Sequence, residues 1–107
     1  MVKHSMTHFE KAPEVDKDLE SIVVYTAENW GADQVRKYMA GLEQKMEDMA
    51  TGKAHCKAHD NLARGLKVSR YERHYIFGLE REKEPMLILA VFHERMSVIK
   101  RIRKRLS

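Results

Sequence analysis

The 107 residues fit one compact domain, and a hydrophobic fraction of 43% supports a single modest core, which excludes a second domain and argues against disorder. Charged residues make up 34% with a net charge of +4, too mild a bias to name a partner class by itself. Its distribution says more: from Glu94 to Ser107 six basic residues (Arg95, Lys100, Arg101, Arg103, Lys104, Arg105) accompany one acid, Glu94, on an otherwise near-neutral body. A basic end of this kind points to a nucleic-acid backbone or an acidic protein segment, with a solvated amphipathic helix as the competing reading.

The single cysteine, Cys56, excludes an internal disulfide, and no apolar run has the length of a secretion signal or a bilayer span. The cytoplasm is the expected compartment. Residues 2–10 are polar and mixed, with weak alternation that fits a short edge strand. Pro13 then opens the first firm element, because proline is tolerated in a first helical turn where its missing N–H has no partner to lose. Val15, Leu19, Ile22, Val23, Thr26 and Trp30 follow at helical spacing on one face. Gly31 is a plausible stop, and a second helix starts at once with Val35, Tyr38, Met39, Leu42, Met46 and Met49 as its stripe. Two helices joined by so short a turn pack antiparallel, as a helical hairpin.

Periodicity vanishes over residues 51–63, which read as a loop. After it Leu66, Val68, Tyr75, Phe77 and Leu79 favour strands, with Arg70, Tyr71, Arg73 and His74 placed together on the first of them. Residues 80–85 are charged and end in Pro85, so they read as a turn. Residues 86–92 are continuously apolar, as expected of a strand buried on both faces. Val98, Ile99, Ile102 and Leu106 then recur at helical spacing amid the basic cluster, predicting a terminal amphipathic helix. The predicted class is α+β: an N-terminal strand, an antiparallel helical hairpin, a three-stranded antiparallel sheet and a C-terminal amphipathic helix, with the hairpin on one sheet face.

No glycine-rich phosphate loop, paired-cysteine metal signature or nucleophile elbow is present. His55, Cys56 and His59 have the donor types of a transition-metal site, but in a polar loop they read as unliganded, so neither metal nor cofactor is expected. A sharper group is Arg70, Tyr71, Arg73 and His74 with His93 and Arg95, which neighbouring antiparallel strands would bring together. An arginine neutralising a phosphate beside a proton-moving histidine suits RNA cleavage through the ribose 2′-hydroxyl. The competing reading pairs these residues with Glu72, Glu94 or solvent on an outer strand face. Tyr25 and Tyr38 read as hairpin packing, and Trp30, at the tip, as a contact residue.

The runs Asp18-Leu19-Glu20-Ser21-Ile22, Tyr25-Thr26 and Asn29-Trp30-Gly31, followed by Gln34, Tyr38 and Leu42, resemble the helical hairpin of ParE-type toxins in the RelE/ParE superfamily. Arg70-Tyr71-Glu72-Arg73-His74-Tyr75-Ile76-Phe77 and Val91-Phe92-His93-Glu94-Arg95-Met96 resemble that family's closing strands. The likeness covers nearly the whole chain, so residues 1–107 are expected to be one toxin domain. It implies the toxin of a type II toxin–antitoxin system that inhibits DNA gyrase and so replication, and is neutralised by a ParD-like antitoxin in a heterotetramer or larger assembly, away from membranes. Trp30, Arg70, Arg73, His93 and Arg95 are taken as candidates for target binding, a surface that the resemblance itself does not give. Tyr38, Leu42, Arg101, Arg103 and Lys104 are candidates for antitoxin binding, with an acidic antitoxin segment folding onto the hairpin and the basic tail.

The same fold hosts RelE-type ribosome-dependent mRNA endonucleases, in which Arg70, Arg73, His93 and Arg95 would form the catalytic set. The long hairpin and the Trp30-Gly31 tip favour the gyrase branch, which has no catalytic residues of its own. The basic helical tail departs from the family pattern and supports a third reading, a small nucleic-acid-binding module with salt-sensitive DNA binding.

Overall fold

A computed structural model describes residues 8–107. The chain runs β1 (Phe9–Lys11), α1 (Pro13–Trp30), α2 (Ala32–Thr51), β2 (Lys57–Ala58), β3 (Leu66–Tyr71), β4 (His74–Leu79), β5 (Met86–His93) and α3 (Val98–Leu106). Pro13 opens α1 behind an extended Ala12, whose N–H donates to the Ile88 carbonyl and so moors the helix start to β5. Gly31 is the whole link between the two long helices, and its φ of 88° is one that a side chain would resist. Helix α2 returns antiparallel to α1, so that Lys11, just before α1, meets Glu43 in the second half of α2 at 3.4 Å.

Among the described residues the sheet has five strands in the order β1-β5-β4-β3-β2, where the sequence predicted three and a separate N-terminal strand. Only β1 is parallel to its neighbour, pairing Phe9 with Met86, and the other pairings are antiparallel. Of the predicted strand over residues 2–10, only its end falls in β1; residues 2–7 lie outside the described part. Strand β2 sits within the predicted loop, because two exposed residues are too few to show a period. The sequence grouping of Arg70 through His74 on one strand is also corrected. Glu72 and Arg73 form the turn between β3 and β4, with Glu72 in the left-handed region, and His74 begins the next strand.

Both sheet faces are covered, which explains the unbroken apolar run of β5. The helical hairpin packs Val15, Ile22, Leu42, Met46 and Met49 against Ile76, Met86, Ile88 and Val91. On the other face α3 seats Ile102 against Leu66, Phe77, Ala90 and Phe92. Met86 and Ile88 share a face with Val91 rather than with Ala90 because Phe77 pairs with Ala90 while Gly78 pairs with Ile88, which leaves Leu89 as an extra residue in β5. That bulge exchanges the two faces of the strand at its midpoint. It thereby turns His93 toward the hairpin.

Candidate functional site

His74 and His93 are paired across the adjacent ends of β4 and β5, with their rings edge to face at 5.1 Å. Both face the hairpin, whose tip overhangs these strand ends and leaves a cleft of about 540 Å³. Tyr25 and Trp30 from α1, Gln34 and Tyr38 from α2, and Arg73 and Arg95 from the strand ends bound this cleft. Tyr25 and Trp30 are 58% and 69% exposed as residues, an unusual position for large aromatic side chains and one that suits a contact site. Tyr25, read from sequence as packing, is therefore a wall of the cleft.

The floor is held by a short polar chain. The Arg73 backbone N–H donates to the Tyr38 hydroxyl at 3.4 Å, and that hydroxyl lies 2.6 Å from His74 Nδ1. The same hydroxyl stands 3.5 Å from the Tyr71 carbonyl, to which it donates, so the short contact joins Tyr38 and His74 Nδ1 with its direction set by the tautomer of the ring. Burial, reinforced by the nearby His93, pushes the His74 pKa down to about 4, so this ring is neutral near pH 7. Burial also raises the Tyr38 pKa, and its hydroxyl stays protonated. His93 accepts the Arg95 backbone N–H at Nδ1, 3.0 Å away, so in its neutral form it carries its proton on Nε2.

Of the six residues grouped from sequence, Arg73, His74, His93 and Arg95 line the cleft, and Arg70 and Tyr71 do not. Alternation along β3 sends Arg70 to the α3 side, where it lies over the Tyr75 ring at 5.5 Å and pairs with Glu94. Arg73 shares that carboxylate at 3.2 Å. The Arg95 side chain has no ion-pair or hydrogen-bond partner among the described residues, which leaves it the freest cation at the rim.

Among the antitoxin candidates, Tyr38 is half-buried on the cleft floor and Arg101, Arg103 and Lys104 are exposed on α3. Leu42 is 1% exposed and lies inside the core, so it supports the hairpin from within and presents no surface to a partner. His55, Cys56 and His59 do not converge: among the described residues no three such side chains are placed to hold a metal ion.

The sequence pattern of the family described as ParE toxin of type II toxin-antitoxin system, parDE, matches residues 9–98. A curated relative from Escherichia coli, Toxin ParE, is 42% identical over 102 residues, which cover 95% of this chain and 99% of that protein. The chain belongs to the ParE toxin family. Every residue of the cleft falls inside the ParE match, which runs from the first residue of β1 to the first residue of α3. A ParE protein is the toxin of a type II toxin–antitoxin system and pairs with a cognate antitoxin. The α+β arrangement of this chain, with the hairpin on one face of a mixed five-stranded sheet, agrees with the RelE/ParE fold. Among the described residues no helix of this ParE chain is long and apolar enough to cross a membrane.

Sequence reasoning singled out Trp30, Arg73, His93 and Arg95, which the fold places around one cleft, but missed the Asp18–Arg105 ion pair and the Tyr38–His74 bond. Arg105 was hidden in a basic run where each cation looked alike. Its one distinguishing signal is its position three residues after Ile102, which turns it toward the buried side of α3.

Proposed function

We propose that this toxin inhibits DNA gyrase, by stabilising its cleaved DNA complex, through the cleft at the hairpin tip, acting as a binding module with no catalytic residues, metal or cofactor. The observation that carries the reading is the pairing of two exposed aromatic rings, Tyr25 and Trp30, with the arginines Arg73 and Arg95 around one concave surface. Aromatic and arginine side chains dominate the energetics of protein interfaces, because they desolvate large areas while keeping a polar handle. The state of His74 fits binding better than catalysis. At neutral pH a ring whose pKa lies near 4 is uncharged and only weakly basic, whereas a general acid or base needs a pKa near the working pH.

The mRNA endonuclease reading keeps one supporting observation, that Arg73, His93 and Arg95 share the cleft. The deciding experiment is a gyrase supercoiling and DNA-cleavage assay run beside ribosome-programmed mRNA cleavage, on one toxin preparation with and without antitoxin. Accumulated gyrase–DNA cleavage complex, relieved by antitoxin, is the expected result. Codon-phased mRNA cuts with gyrase untouched would overturn it and make His93 and the two arginines catalytic.

Under this reading residues 1–107 act as one toxin domain in the cytoplasm, where a ParD-like antitoxin neutralises it in a heterotetramer or larger complex. The antitoxin segment lies along the hairpin cleft, where Tyr25, Trp30 and Tyr38 offer the apolar anchors that a folding peptide needs.

A further inference from the structure

Helix α3 carries its charge in a pattern that its own stability does not explain. Ile102 is fully buried, and at 100° per residue its neighbours Lys100, Arg101, Arg103 and Lys104 emerge from the other half of the helix. All four are exposed, and none has an ion-pair partner among the described residues. The fifth cation, Arg105, is neutralised by Asp18. Cations in a last turn favour a helix, which accounts for Arg103 and Lys104. The first turn should carry an acid, yet it holds none; Lys100 and Arg101 stand there instead, and Ser97 makes no side-chain cap. Two charges thus oppose the helix dipole, so helix stability does not account for them.

The chemistry of this face distinguishes between anionic partners. The four residues of this face are all cations, and Ile99, the exposed apolar residue of α3 at 38%, lies on the side nearer Ile102, whereas a peptide that folds on binding needs several apolar anchors. Isolated exposed ion pairs contribute little, because solvent and salt screen them. A polyphosphate instead releases condensed counterions at every neutralised position, which makes a purely cationic face effective. The helix is already fixed by Ile102 and Arg105, so little order has to be gained on binding. The ParE family match stops at Val98, the first residue of α3, while the 102-residue alignment with Toxin ParE extends into the helix, and neither assigns a role to this face.

We propose that the exposed face of α3 docks on the phosphate backbone of a duplex nucleic acid, with Lys100, Arg101, Arg103 and Lys104 each meeting phosphate and none reading sequence. In a gyrase poison the duplex is the DNA held by the enzyme, a use that rests on the function proposed above. The binding itself does not rest on it.

The test is fluorescence anisotropy of the full chain with a labelled DNA duplex, an RNA duplex of the same sequence and a glutamate-rich peptide, without gyrase. Between about 50 and 200 mM salt, four phosphate contacts give a log–log slope of about −3 to −4 and a roughly 100-fold loss of duplex affinity. Lys100→Gln/Arg101→Gln and Arg103→Gln/Lys104→Gln should each bring the slope to about −2. Lys83→Gln, in the turn before β5, should change it much less. Two separate double variants, each checked by circular dichroism, keep the question answerable if one fails to fold. Equal binding of both duplexes is expected from backbone contact. An unchanged slope in both double variants, or a peptide bound as tightly as duplex at the higher salt, would overturn the proposal. A ten-fold preference for RNA would overturn the link to gyrase-held DNA. With gyrase absent, failure here leaves the gyrase reading standing, and an inactive toxin in the gyrase assay leaves duplex binding standing.

Discussion

Arg105 of α3 and Asp18 of α1 form a two-point ion pair, Nη1 to Oδ2 at 2.7 Å and Nη2 to Oδ1 at 3.2 Å. Asp18 Oδ2 also accepts the Val91 N–H at 3.0 Å, and Arg105 donates to the Leu89 carbonyl at 3.1 Å. The pair therefore closes the edge of β5 beyond Ile88, where β1 has ended, and ties both helical layers to that strand. Asp18→Ala should cost about 3 kcal/mol in urea unfolding, because it leaves a half-buried guanidinium without its carboxylate and the Val91 N–H without its acceptor. Asp18→Leu combined with Arg105→Met should recover part of the loss. A cost below about 0.5 kcal/mol for Asp18→Ala would mean that water already satisfies the pair.

His74 predicts how stability responds to acid. Its pKa is about 4 in the folded protein and about 6.5 when the chain is unfolded. Between those values the unfolded chain takes up a proton that the native ring refuses, so stability falls as pH drops from about 6.5 to 4 and this contribution is lost below 4. The loss from this group amounts to about 3 kcal/mol at most. Urea midpoints measured across that window should flatten in His74→Phe relative to wild type. Parallel pH profiles for the two proteins would show that another group sets the acid limb.

Gly41 faces the Tyr71 ring so closely that an added Cβ would fall 1.9 Å from the Tyr71 hydroxyl. Alanine in place of glycine inside a helix ordinarily stabilises by about 1 kcal/mol. That gain should appear in a Tyr71→Ala background and be reduced or reversed in wild type, where Tyr71 must leave its edge contact with Tyr38 at 5.1 Å. Thermal denaturation of the four proteins in the cycle measures the coupling. Equal effects of Gly41→Ala in both backgrounds would show that the ring moves aside freely.

How far sequence can be read here depends on the range of the interaction concerned. The long helices were legible because Val15, Ile22, Leu42 and Met46 repeat at a period that only one backbone geometry serves. Strand β5 was legible because both of its faces are covered, but the exchange of faces at Leu89 was not, since a bulge leaves no mark in an unbroken apolar run. Strand β2 has too few residues to show alternation, and the turn at Glu72 and Arg73 lacks the glycine or asparagine that usually announces one. In the cleft, Trp30 and Arg95 stood out by type and place. The bond from Tyr38 to His74 joins residues 36 apart and needed the fold itself.

The proposed function separates contact residues from those that only hold the fold, and one comparison exposes the difference. Trp30 is 69% exposed, so Trp30→Ala should leave stability within about 0.5 kcal/mol. If its ring is an anchor for gyrase, the same change should raise the toxin concentration needed for half-maximal cleavage-complex formation by about ten-fold or more. Arg95→Ala should behave likewise, since its guanidinium has no partner among the described residues to strand. Leu42→Ala should do the opposite: it empties space in the core at a cost of about 2–5 kcal/mol, yet at temperatures where the protein stays folded it should inhibit at wild-type concentrations. Measured together, stability and inhibition should therefore move independently in the three variants. Inhibition that falls only in proportion to unfolded protein, with Trp30→Ala as potent as wild type, would remove the hairpin tip from the target surface.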